Sequence, residues 1–256
     1  MRALRALSVL VLGLLSALVA KIPAQAAVVS LNLCTDQLLV LLAPEQVAAL
    51  SVLSRDPALS VVAAQAATLP VVRADAEAVL RLAPSLVLAG PYGAQATLAA
   101  LERRGVPVLR VGLPDSFDAI RTQVTQVAAA LGVPERGSAL LAAMDRDLVH
   151  APVPRRRALL WGARGWTSGP GTFTDAVLTA AGLDNAARGG AVGIEALLAH
   201  PPDLLITATP PQKPSMATEL LRHPALDALS RRTLPPAWLI CAGPWSARAV
   251  GVLSAP

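Results

Sequence analysis

Glu77-Ala78-Val79-Leu80, followed by Pro84 and Leu86-Val87-Leu88, returns 118 residues later as Glu195-Ala196-Leu197-Leu198, Pro202 and Leu204-Leu205-Ile206 (77 to 195, 84 to 202, 86 to 204). Each copy reads as a short helix, a turn stopped by proline, and a wholly apolar strand. Such joints are common in α/β proteins, but here order and spacing are kept together, which implies two equivalent lobes. The lobes that contain the copies span residues 27–115 and 155–256.

The pattern around the copies agrees. Apolar runs at Val28–Leu31, Val47–Leu53, Leu86–Ala89, Val108–Val111, Ala158–Trp161, Leu204–Thr207 and Trp238–Cys241 read as strands. Helical periodicity falls at about 35–42, 76–82, 94–104, 116–131, 135–149, 173–181, 194–199 and 215–229. Strands alternating with helices predict parallel sheets with crossover helices. The fold class expected is therefore α/β, with two lobes, each a mostly parallel sheet flanked by helices. Residues 116–154 join the lobes as a long helical connector, with stripes Ile120/Val124/Val127/Leu131 and Leu140/Leu141/Met144/Leu148 broken at Pro134. Arg155-Arg156-Arg157 reads as a solvated turn before a strand.

Composition narrows the class of protein. Hydrophobic residues make up 54% of the chain and charged residues 15%, which excludes a disordered chain. Among the 22 basic residues only Lys21 and Lys213 are lysine, so the high isoelectric point reflects arginine usage and is poor evidence for nucleic-acid binding. Residues 1–26 read as a secretory signal peptide. Arg2 and Arg5 precede an uncharged, mainly apolar run over Ala6–Ala20, and Ala24-Gln25-Ala26 has the small-x-small cleavage pattern. Lys21 and Pro23 end that run short of a membrane span. An exported protein, cleaved near Ala26 and residing in the periplasm, is the expectation.

Several segments carry a resemblance. Val29-Ser30-Leu31-Asn32 opens the first lobe, and Ala76–Leu80 runs through Pro84 to Leu86–Ala89. Arg104-Gly105-Val106-Pro107-Val108 is a helix-to-strand joint, and Trp166-Thr167-Ser168-Gly169 and Ala181-Gly182-Leu183-Asp184-Asn185 begin the second lobe. In this order, over residues 28–253, the chain resembles the periplasmic substrate-binding proteins of ABC importers for ferric siderophores, heme and vitamin B12. The resemblance implies two lobes joined by one long helix, a ligand held in the cleft, and little lobe closure. It also implies docking to an inner-membrane ABC permease through one acidic residue per lobe, at Glu77 and Glu195. The repeat fits that role, since a two-fold permease needs one equivalent charge from each lobe. First-turn glutamates favoured by the helix dipole are the plainer reading of the same two residues.

Ligands of open α/β sheets sit beyond the carboxyl ends of strands. The segments there are Asn32–Thr35, Ser54–Asp56, Gly90–Gly93, Gly162–Gly169 and Ala242–Arg248. Aromatic residues are only 3% of the chain, and Tyr92, Trp166 and Trp245 fall in these segments, which makes them ligand-stacking candidates. Asn32, Arg55, Arg164 and Arg248 lie there too, the arginines suited to anionic ligand groups. Trp161 and Trp238 read as core. Cys34 and Cys241, the only cysteines, predict a disulfide between the lobes in an exported protein; the alternative is two thiols lining the site.

The three histidines, His150, His200 and His223, show no ligand spacing. A metal is therefore expected inside a chelate, not bound by the protein, and no cofactor is expected. The chelate expected is a ferric siderophore ahead of a corrinoid, on the strength of the arginines and of the family, with heme last because no histidine or tyrosine other than Tyr92 is placed as an axial ligand. An exported two-lobed enzyme is the alternative. Against it, there is no Gly-x-Ser-x-Gly elbow and no histidine near a nucleophile. Gly169-Pro170-Gly171-Thr172 reads as a turn with a threonine cap more readily than as a phosphate cradle. The reading is a monomeric, non-enzymatic binding subunit of an importer, with a metal chelate and a permease as partners and no nucleic acid.

Overall fold

The structure, a computed structural model, describes residues 26–149, 155–210 and 215–255. The expected signal peptide lies outside the described residues except for Ala26. Two four-stranded parallel sheets organise the chain. In the first, strands β1 (Val28–Ser30), β2 (Val47–Ala49), β3 (Leu86–Ala89) and β4 (Val108–Arg110) lie in the order β2-β1-β3-β4. The second holds β5 (Arg157–Leu160), β7 (Asp184–Asn185), β9 (Leu204–Ala208) and β10 (Arg231–Leu234), in the order β7-β5-β9-β10. Strands β6 (Trp166–Thr167) and β8 (Gly190–Ala191) form a small antiparallel pair.

The two sheet orders are the same topology, and the repeat accounts for it. Helix α3 (Ala76–Leu80) leads into β3 as α8 (Ile194–Ala199) leads into β9. Leu86 then pairs with Val28, while Leu204 pairs with Ala158 at the equivalent place. Each sheet is covered on both faces, so its central strands are mainly apolar. Val28 and Leu88 face helices α1 (Leu33–Leu42), α5 (Phe117–Ala130) and α6 (Pro134–Leu148), while Val29, Val87 and Ala89 face α3 and α4 (Gln95–Arg103). In the second sheet Ala158, Leu204 and Ile206 meet α7 (Phe173–Ala180) and α9 (Ala247–Ser254). Leu159 and Leu205 meet α8.

The connector is two helices packed against each other, where the resemblance implied one. Ser116 caps α5 by accepting from the Ala119 N–H at 3.2 Å, and α5 buries Ile120, Val124 and Val127. Leu131, Gly132 and Pro134 end one helix and start the next. Gly137 lets the pair approach closely: a Cβ there would sit 2.6 Å from the Ala128 Cβ. Arg121 and Asp145 close the same pair with an ion pair of 2.5 Å.

Three expectations about the second half need correction. Trp238–Cys241 is not a strand: the N–H groups of Trp238, Leu239 and Ile240 donate back to the Pro235 and Pro236 carbonyls, and Pro236–Trp238 is a 3-10 turn. The edge strand is instead the polar β10, whose Arg232 donates to the carbonyls of Val252, Leu253 and Ala255 at the end of α9. Within residues 215–229 there are two 3-10 turns, Glu219–Arg222 and Pro224–Ala228, separated at His223, instead of a helix. The terminal helix α9 was not anticipated.

The segment before α9 returns to the first lobe's core. Cys34, in the first turn of α1, is bonded to Cys241 with Cα atoms 5.3 Å apart. Trp245 is buried among the α1, α5 and α6 side chains, and its indole N–H donates to the Cys241 carbonyl at 3.1 Å. The bridge spans 207 residues of sequence, so it removes much freedom from the unfolded chain. Thiol titration of denatured, unreduced protein is expected to find no free thiol. The double variant Cys34→Ser/Cys241→Ser is expected to lose about 2–5 kcal/mol in a denaturant melt.

Candidate functional site: the strand-end cleft

In both sheets the chain leaves the first central strand toward one side and then crosses to the other. The crevice at that reversal, outside the carboxyl ends of the strands, is where open α/β sheets bind ligands. In the first lobe it lies between β1 and β3. Asn32 follows β1, caps α1 by accepting from the Cys34 N–H at 2.9 Å, and lies against Gly90 beyond β3. Gly90 makes room for that side chain: a Cβ would fall 2.8 Å from Asn32 Nδ2 and displace it.

Beside this crevice is a cavity of about 560 Å³ lined by Leu31, Ser51, Val52, Leu53, Val71 and Arg73, among others. Its wall is apolar and open, with Val52 67% and Leu53 47% exposed. Exposed aliphatic side chains grouped on a concave wall mark a binding surface. Arg73 makes no ion pair among the described residues. The wall is held from behind. Arg55 donates to the carbonyls of Ala66, at 3.3 Å, and Leu69, at 2.6 Å. Asp36, in the first turn of α1, accepts from Ser51 twice, from N–H at 3.2 Å and from Oγ at 2.5 Å.

Asp36 is fully buried. Removal from water pushes its carboxyl up from 3.8 to about 7, against the hydrogen bonds from Ser30 and Ser51 that favour the charged form.

A second cavity, of about 230 Å³, opens at the carboxyl ends of β5, β9 and β10, lined by Leu160, Thr207, Pro235, Leu239 and Ile240 among others. The disulfide joins segments that border the two cavities. Leu31 lies three residues before Cys34, and Ile240 immediately precedes Cys241.

The expected site residues divide. Tyr92 is 77% exposed in the turn after β3, and Trp166 is 61% exposed at the start of β6. Arg164 is exposed in the turn after β5, in a left-handed conformation (φ 54°), with its N–H bonded to the Ala217 carbonyl at 2.9 Å. These three and Asn32 stand at strand ends. Trp245, by contrast, is buried in the first lobe's core and lines neither cavity. The guanidinium of Arg55 is spent on backbone carbonyls. Arg248 is exposed on α9 and lines neither cavity. Glu77 and Glu195 are exposed second residues of α3 and α8. Thr172 caps α7, accepting from the Asp175 N–H at 3.3 Å, which accounts for the Gly-Pro-Gly-Thr turn.

Val52, Leu53, Val71, Arg73 and Asp36 were missed. Val47–Leu53 reads as one strand in sequence, which hides that β2 stops at Ala49 and that the remainder turns outward. Among the described residues no group of three His, Cys, Asp or Glu side chains is placed to hold a metal ion, and no helix is long and apolar enough to cross a membrane.

A family model described as "Periplasmic binding protein" matches residues 28–230. The chain belongs to that family. No curated protein sequence matches it. Among solved structures it is similar to the periplasmic heme-binding protein RhuT from Roseiflexus sp. RS-1, at 25% identity and TM-score 0.68, covering 90% of this chain and 97% of that one. It is also similar to the vitamin B12-binding protein BtuF of Vibrio cholerae, at 20% identity and TM-score 0.63, covering 89% and 94%. A third is the molybdate-binding MolA of a Haemophilus influenzae ABC transporter, at 16% identity and TM-score 0.69, covering 90% and 86%. The chain is thus a periplasmic binding protein. Family and neighbours are substrate-binding proteins, not enzymes.

The state of Asp36 has a consequence for stability. Its folded value lies above its unfolded one, so between about pH 4 and pH 7 the folded protein keeps a proton the unfolded chain has lost. That contribution is complete below the unfolded value and lost as pH rises through about 7. Asp36→Asn is therefore expected to gain stability relative to the parent as pH rises, by on the order of 2–3 kcal/mol between about pH 5 and about pH 8.5. Urea melts at the two pH values check it.

Proposed function

We propose that this protein captures a metal chelate of the tetrapyrrole class, heme or a corrinoid, in the strand-end cleft and delivers it to an ABC permease. The observation behind this reading is the pair of apolar cavities at strand ends, one in each lobe, which offer aliphatic walls to a broad, largely apolar ligand. A ferric siderophore, favoured on sequence for its arginines, loses that support with Arg55 bonded to backbone carbonyls and Arg248 away from both cavities. The heme-binding and B12-binding neighbours fit the same class; the molybdate-binding one shows that the fold alone does not choose. Tyr92 offers a phenol oxygen suited to ferric heme iron, and Trp166 offers an aromatic face. The lobes proposed are 27–115 and 155–256 on either side of 116–154, with export directed by residues 1–26.

Titration with hemin, cyanocobalamin and a ferric hydroxamate siderophore, read by tryptophan quenching, tests the ligand class. One of the two tetrapyrroles is expected to bind at a ratio of one, and Val71→Asp to weaken it at least about tenfold by charging the cavity wall. Binding of the siderophore alone would contradict the proposal. A fall in hemin affinity in Tyr92→Phe, with a shifted heme spectrum, would assign the iron ligand.

For Glu77 and Glu195 we propose permease docking. Both are exposed, make no ion pair among the described residues, and hold equivalent positions on α3 and α8. Charge pairs of this kind govern encounter and register. Reversal of both to Lys is expected to abolish uptake while ligand affinity and melting temperature stay unchanged. Loss of ligand affinity in Glu77→Lys would place that residue in the cleft.

A further inference from the structure

Asp36 is the only ionisable side chain of α1, and it is buried against the back of the cavity wall. Beside Ser30, its partner is Ser51, which holds it at 2.5 Å through Oγ and itself lines the cavity. A serine hydroxyl has one proton and two lone pairs. With Asp36 ionised, the carboxylate only accepts, so Ser51 must spend its proton on Oδ2 and can show the cavity nothing but a lone pair. With Asp36 protonated, the carboxyl O–H donates to Ser51 Oγ over the same 2.5 Å contact. The Ser51 proton is then free to turn into the cavity, while the Ser51 N–H keeps its bond to Oδ1.

We infer that the proton on Asp36 sets the hydrogen-bond polarity of Ser51, so that an acceptor or anionic group of the ligand, held between Ser51 and Arg73, is taken up together with a proton. This rests on the reading of the first-lobe cavity as part of the ligand site. Asp36 is a positioning residue; it touches Ser51 and not the ligand.

Two effects act in the same direction. Protonation supplies the donor, and it removes a buried negative charge that would repel an anionic group. Arg73 lines the cavity, with its guanidinium in no ion pair among the described residues, and complements such a group. Burial brings the Asp36 proton into the range where it exchanges, at about 7.

The ionisable groups on the elements around α1 do not offer a second explanation. β1 and β3 carry none. Glu45 and Arg136 pair with each other at 2.6 Å, and Arg121 of α5 pairs with Asp118 and with Asp145 of α6. Arg55 is bonded to carbonyls. Neither these nor Glu135, Arg146 and Asp147 of α6 are among the influences on Asp36, which are burial and the Ser30 and Ser51 hydrogen bonds.

The probe for the test is anilinonaphthalene sulfonate, an apolar body with one acceptor anion that does not titrate in this range, followed by fluorescence on the full mature chain. Affinity is expected to fall about tenfold between about pH 6 and about pH 8, as the protonated fraction falls. In Asp36→Asn the amide oxygen accepts from the Ser51 N–H and the amide nitrogen donates to Ser51 Oγ, so Ser51 is fixed as a donor. That variant is expected to bind at the parent's low-pH affinity at every pH. Ser51→Ala is expected to lose the tight low-pH binding. A flat pH profile in the parent, or an unchanged slope in Asp36→Asn, would overturn the inference while leaving the ligand site standing. If Val71→Asp and Arg73→Ala leave probe binding unchanged, the site reading fails and the inference falls with it.

Discussion

The first turn of α1 is the point on which the cleft depends. Within five residues, Asn32 caps the helix and fills the space that Gly90 leaves, Cys34 bonds to Cys241, and Asp36 grips Ser51. These contacts tie β1, the turn after β3, the wall after β2 and the returning C-terminal segment to one short stretch of backbone. α1 is itself buried between the first sheet and the connector helices, apolar on nearly every side. A helix in that position has little freedom to tilt, so the segments attached to it are preorganised, which favours affinity by lowering the ordering cost of binding.

The duplicated joint explains why the architecture was legible. Glu77 to Leu88 and Glu195 to Ile206 hold helix, proline and buried strand at fixed spacing, and each copy fixes the neighbour of a central strand. Strand order, two-sided burial and lobe equivalence follow from that joint. What failed did so where tertiary context overrode local pattern. Trp238–Cys241 is apolar enough for a strand, yet Pro235 and Pro236 leave it as a turn. Arg231–Leu234 is polar enough for a loop, yet it is an edge strand whose Arg232 caps a helix.

The site was legible only in part. Position after a strand puts Asn32, Tyr92, Arg164 and Trp166 at strand ends as expected, whereas Trp245 is buried because the chain doubles back into the first lobe's core there. The reach of Arg55 to Ala66 and Leu69 depends on how residues 55–69 fold, which no spacing reports. One missed residue did leave a signal. Asp36 is a lone acid in Leu33-Cys34-Thr35-Asp36-Gln37-Leu38-Leu39, and a helix apolar all round is a buried helix. A charge within it has to be buried and compensated.

The family and fold do not choose the ligand; the walls of the cleft do. The most direct measurement of what those walls select is the absorption spectrum and metal content of the protein isolated from the periplasm of its own cells. A tetrapyrrole is predicted: a porphyrin or corrin band, with about one iron or cobalt per chain for a single chelate in the cleft. Protein carrying iron with only the broad charge-transfer band of an oxygen-ligated siderophore would contradict it.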